Sequence, residues 1–127
     1  MREILFRGKD IKGNWHIGLL ANIGNAWYIS NKAGVSTAFE VIPETVGQYT
    51  GLTDKNGKKI FEGDIVNFKT TAYHFKNCRI KYQSCYARYC AIDNKGYEYP
   101  MDKAFEYEVI SIIHDNPELL KSEVEGE

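Results

Sequence analysis

The 127-residue sequence predicts a mainly β fold, on three observations. Its apolar runs are short, rich in Tyr, Ile, Val, Phe and Trp, and punctuated by Gly and Asn, which suits pleated and half-buried surfaces. The tetrad Asp-x-x-Gly recurs three times, as Asp10 to Gly13, Asp54 to Gly57 and Asp93 to Gly96. Few stretches could be helical, and the best of these is the C-terminus. With 43% hydrophobic and 13% aromatic residues the chain lies outside the disordered range and is long enough to bury a core without staples.

Taken in order, strands are expected at residues 3–7, 14–20, 26–30, 37–42, 65–69, 78–83, 86–92 and 105–113. In each tetrad the Asp accepts bonds from the backbone ahead of it, and Gly at the fourth position takes the positive φ that closes a type I turn into a bulge. Three tight hairpins are the consequence. A calcium loop starting at Asp54 requires Gly at its sixth position and Glu at its twelfth, but these are Lys59 and Ile65. The acids here turn the chain and hold no calcium. Gly63-Asp-Ile-Val66 reads as the start of a strand in a small SH3-like β-barrel, the glycine permitting a sharp turn. Ile65 faces away from Val66 and Phe68, and alternation alone does not say which set lines the core. At the C-terminus Asp115 or Asn116 caps a short helix, with Pro117 at its first position and Glu118 facing the positive end of its dipole.

REILFRGKD near the start, PETVGQYTGLTDKNGKKIFEGDIV at residues 43–66 and EVISIIHDNPELL at residues 108–120 resemble the YopX family of phages and prophages of Gram-positive bacteria. The blocks span nearly the whole chain in the right order, and residues 70–101 match no fixed motif. The resemblance implies an N-terminal antiparallel β region at 1–44, an SH3-like barrel at 45–115 and a short helix with an acidic tail at 116–127. It implies no activity, substrate or catalytic residue, because the shared positions are mostly turn glycines and strand hydrophobics.

Chemistry is sparse. No run approaches the roughly 18 apolar residues of a membrane span, and the N-terminus lacks the apolar core of a signal peptide, so a cytoplasmic location in a bacterial host is expected. Cys78, Cys85 and Cys90 are odd in number and fit reduced thiols, with buried small hydrophobes as the expected role. His74 lies four residues before Cys78, yet no C-x-x-C pair is present to hold zinc, so neither metal nor cofactor is expected. His16, His74 and His114 lie far apart with no catalytic motif around them, and Glu62 and Asp64 bracket a turn glycine. Phosphate-binding glycine loops of the Walker and Rossmann types do not occur. An enzyme is therefore the weakest of the function classes.

Charge is distributed unevenly. Residues 1–64 carry eight Lys/Arg and seven Asp/Glu, residues 65–92 five and none, and residues 93–127 three and ten. The acid-free segment offers Lys69, Lys76, Arg79, Lys81, Tyr82 and Arg88 as a nucleic-acid surface, cations meeting phosphates and aromatic faces stacking on unpaired bases. Arg79 and Lys81 alternate with Cys78, Ile80 and Tyr82, which puts the two cations on one face of a strand. Against this reading stand the sequence pI of about 6.3 and the acids that follow. Binding a host or phage protein, or self-assembly into a homo-oligomer, is the reading favoured by nine tyrosines on a chain without catalytic machinery. Trp15 and Trp27 are expected as core anchors. Geometry discriminates between the classes. Convergence of the five cations on one face favours nucleic acid, and their neutralisation by the acidic C-terminal part favours a protein partner or none.

Overall fold

Three tetrads turn the chain in the same way. In each, one Asp carboxylate oxygen accepts the backbone N–H groups two and four residues ahead, all at 2.9 Å. The Gly N–H donates back to the Asp carbonyl, and the Gly φ angles are 92°, 82° and 89°. That left-handed region is cheap only for glycine. The second carboxylate oxygen is left free to hold something more distant: Nε2 of His16 at 2.8 Å for Asp10, the N–H of Val109 at 3.1 Å for Asp54, and the hydroxyl of Tyr99 at 3.1 Å for Asp93.

The computed structural model describes residues 3–30 and 38–120, and the chain divides into two units after Gly51. In the first, β1 (Phe6–Lys9), β2 (Trp15–Ile23), β3 (Ala26–Ser30), β4 (Phe39–Val41) and the part of β5 (Gly47–Thr53) up to Gly51 are antiparallel in the order β4-β3-β2-β1-β5. A 3-10 turn, η1 (Pro43–Thr45), links β4 to β5. This sheet curls on itself. The Ile42 N–H donates to the Lys9 carbonyl at 2.8 Å, and the Thr45 hydroxyl accepts the Lys9 N–H at 2.9 Å. The curl brings the Gly8 backbone onto Ile29 and Val41, so a Cβ at Gly8 would sit 2.9 Å from Val41 Cβ. On the other face of β2, Ile17, Leu19, Ala21 and Ile23 form an exposed apolar row. Trp15 and Trp27 are both half-buried, not the core anchors expected, and Trp15 lies under the cations of Arg7 and Lys9 at 5.0 and 5.7 Å.

The second unit holds β6 (Lys59–Phe61), β7 (Asp64–Lys69), β8 (His74–Gln83), β9 (Arg88–Ile92), β10 (Glu98–Pro100), β11 (Glu106–Ile112) and the 3-10 turn η2 (Pro117–Leu120). Five of its strands make an antiparallel sheet in the order β10-β9-β8-β7-β11. Ile60, Val66, Phe68, Cys78, Ile80, Ala91 and Tyr107 form its core. Phe68 sits among aromatic rings there, with Phe75 stacked at 4.6 Å and Tyr107 tilted at 5.4 Å. Val66 and Phe68 thus line the core cluster, and Ile65 on the opposite face is fully buried as well. Asp64 is buried and accepts the Phe61 N–H at 2.8 Å, closing the turn at Gly63. The outer edge of β11 is closed by the Asp54 turn, since the Lys55 N–H donates to the Tyr107 carbonyl while Asp54 takes the Val109 N–H.

The mainly β expectation holds as two antiparallel sheets with almost no helix. Among the described residues no closed barrel is found, and each sheet ends on edge strands. In place of a C-terminal helix there is the single turn η2. Asn116 does not cap a longer helix, because its side-chain oxygen accepts the Ser111 hydroxyl and its amide donates to Glu118. The acidic tail, 121–127, and the first residue of the strand expected at 37–42 lie outside the described residues.

Candidate nucleic-acid interface

The acid-free segment of the sequence builds β7, β8 and β9, and their register decides which side chains share a face. Ile65 is opposite Arg79, Arg79 opposite Ile92, Lys81 opposite Cys90, and Gln83 opposite Arg88. Directly opposed residues point the same way, and residues two apart along a strand do too. Arg79, Lys81 and Arg88 therefore share the face turned away from the core cluster, and Lys69 reaches it through Ile65 and Asn67. Lys76 follows from a bulge, marked by the register shift between Val66 and Phe68 and by Asn77 at φ 54°, with the Asn77 N–H held by the Asn67 side chain. It is exposed and shares a cleft of about 250 Å3 with Lys69, His74 and Glu106.

Tyr82 is on the other side. It follows Ile80 on the core face, where it meets Tyr89 edge-on at 5.1 Å. Arg79 is half-buried, because Ile65 and Ile92 beside it are buried and η2 lies against β8. Lys81 and Arg88 are exposed. Acids approach at the margins. Glu106 on β11 pairs with Lys69 at 3.0 Å, half-exposed on both sides, and such a pair contributes at most about 1 kcal/mol. Glu98 is opposite Ile92 and so on the same face as Arg88. Among the described residues no carboxylate forms an ion pair with Lys76, Arg79, Lys81 or Arg88.

A family model described as YopX protein matches residues 14–121, from the first hairpin through η2. The chain belongs to the YopX family. Its fold is also similar to a crystal structure of protein EF1440 from Enterococcus faecalis, with a TM-score of 0.54 and 24% identity over 95% of this chain and all of that one. Identity at that level speaks for the fold alone. No curated protein matches the chain.

Several polar groups of this YopX-family chain outside the cation face are engaged within the fold. Burial pushes the Cys78 thiol up to about 12, and such a thiol is a poor nucleophile at neutral pH. Burial likewise raises Cys90, opposed by the Arg88 guanidinium, while Cys85 is exposed in the β8–β9 turn. His16 is held by Asp10 and stacks on Phe39 at 4.0 Å; its hydrogen bond, with those of Asn14 and Lys12, keeps the Asp10 carboxyl below its ordinary range. His114 is exposed near η2. Glu62 accepts the Tyr82 N–H at 3.2 Å. Among the described residues no three His, Cys, Asp or Glu side chains are placed to hold a metal ion.

Sequence reasoning passed over Tyr86 and Tyr97 as a pair. Both are exposed, and with Arg88, Gly96, Glu98 and Pro100 they line a second cleft of about 340 Å3. Their position on the shoulders of the two hairpin turns that flank β9 was the available signal.

Proposed function

We propose that this YopX-family protein is a non-enzymatic binding module, and that the partner its geometry suits best is single-stranded nucleic acid held along the outer face of β7–β9. The observation that carries this reading is the alignment of Lys69, Arg79, Lys81 and Arg88 on one face with Lys76 beside it, where Lys69 alone is paired to a described carboxylate. Phosphates recruited to such a row release counterions, so affinity falls with salt in proportion to the contacts made. The resemblance to phage and prophage proteins supports a site of action in the cytoplasm of a bacterial host. Five sequential antiparallel strands and the turn at Gly63-Asp64 support reading the second unit as SH3-like.

Fluorescence anisotropy with labelled oligothymidylate at 50 and 200 mM salt tests the reading. Four phosphate contacts give a log–log slope of roughly −3 for a single strand, and Lys76→Ala with Lys81→Ala lowers it by about 1.4. Absence of binding at 50 mM salt, or a slope that the double variant leaves unchanged, overturns it.

A second reading, a protein partner or self-assembly, is favoured by the β2 row, where Ile17, Leu19 and Ile23 are 45%, 46% and 67% exposed on one face. Light scattering of the wild type and of Leu19→Glu distinguishes the two: a mass above the monomer that the substitution abolishes supports self-assembly.

A further inference from the structure

The cleft beside β9 and β10 has features that the row of cations lacks. Tyr86 and Tyr97, 58% and 62% exposed, stand at its walls with large apolar rings facing water. The backbone that carries each ring is anchored by hydrogen bonds. The Tyr97 N–H is held by the Asp93 carboxylate at 2.9 Å and its carbonyl accepts the Asp93 N–H at 3.0 Å, while the Tyr86 N–H donates to Gln83 at 3.1 Å. The Arg88 guanidinium lies over the Tyr86 ring at 5.0 Å, which orients a planar cation at the same opening. Arg88 is also the end of the cation row, opposite Gln83 and so two positions along the face from Lys81. A phosphodiester chain lying on Lys81 and Arg88 is thereby led to the cleft.

From these contacts we infer that this cleft is a stacking subsite for one unpaired nucleobase, and that it makes the protein prefer single strands over duplex. The inference rests on the phosphate-binding reading of the neighbouring face and adds the group the cleft receives. Every base presents a π face, so rings and guanidinium planes hold it with little sequence preference. Glu98, which also lines the cleft, is an acceptor for the exocyclic amino group of cytosine or adenine and repels phosphate, so the base and not the backbone enters. In a duplex the bases are already stacked and paired and do not reach it.

The test uses the full chain, an oligothymidylate carrying one 2-aminopurine, a duplex of equal length, and heparin as a baseless polyanion. Stacking quenches 2-aminopurine on binding. Tyr86→Ala and Tyr97→Ala are expected to lose the quench and to weaken single-strand binding about tenfold, while Tyr→Phe at both positions retains both and heparin affinity is unchanged. Both side chains are exposed, and circular dichroism confirms that the variants fold. Undiminished single-strand affinity and quench in the alanine variants, or equal affinity of the wild type for duplex and single strand, overturns the subsite while leaving the phosphate reading in place. Failure of the wild type to bind any nucleic acid overturns both.

Discussion

Asp54 is one side chain with two jobs: one oxygen closes its own hairpin and the other holds a backbone group fifty-five residues away. Burial pushes its carboxyl up, but the N–H groups of Val109, Lys58 and Asn56 outweigh that and hold it below the ordinary value. A carboxyl lowered on folding stabilises the native state above the unfolded pKa of about 3.9, and that contribution is lost as pH falls through the lowered value. Asp54→Asn keeps one acceptor oxygen and forfeits the charge, so we expect it to cost about 1–3 kcal/mol at pH 7 in urea unfolding and progressively less than that toward pH 3. An equal cost at both pH values would show that the charge is irrelevant. Gly8 gives a second expectation at this scale. Gly8→Ala places a methyl 2.9 Å from Val41 Cβ and 3.0 Å from Ile29 Cδ1 and should destabilise by about 1–3 kcal/mol, and by less in a Val41→Ala background. The thiols make a third: a disulfide reagent added to native protein should react promptly with Cys85 alone, and Cys85→Ser should abolish that phase.

At the scale of elements, the strand at 26–30 was legible to the residue, since Ala-Trp-Tyr-Ile-Ser is β-prone and bounded by turn chemistry. β5, β6 and β10 were not. β5 contains two glycines, β6 is three residues long and β10 ends in Pro100, so nothing local marks them; β5 is a strand because β1 lies beside it, and β10 because β9 does. The tetrads were legible because an Asp oxygen and a Gly φ act within five residues, whereas their distant partners, His16, Tyr99 and Val109, were not. Alternation along β8 put Arg79 and Lys81 together, but only the register across three strands adds Lys69 and Arg88. The same alternation sends Tyr82 to Tyr89 on the core face, which removes it from the candidate surface. If tetrad geometry resides in its first and last residues, exchanging Asn94 and Lys95 changes stability by less than about 0.5 kcal/mol. Gly96→Ala, with open space around the added methyl but φ at 89°, costs about 1 kcal/mol. Thermal unfolding compares the two.

For the whole molecule, net charge and local charge disagree. The chain carries −1 overall, yet residues 65–92 hold five cations and no acid. At pH 7.5 the protein is expected to be retained on a heparin resin despite its negative sign, and Lys76→Ala with Lys81→Ala to elute at lower salt. Passage of the wild type without retention would show that the acids of β10 and β11 dominate the field. The candidate face is built largely from residues 70–101, inside the 14–121 span that the family model matches, whereas residues 43–66 supply the Asp54 tetrad and the turn at Gly63.

The seal that the Asp54 turn places on β11 also bears on how the protein ages in solution. An open rim of seven residues would offer hydrogen-bonding groups to a neighbouring molecule, and such rims template fibril growth. Acid storage protonates the seal and Asp54→Ala deletes it, so both should shorten the lag before thioflavin T fluorescence rises, with the turn acting as guardian of colloidal behaviour.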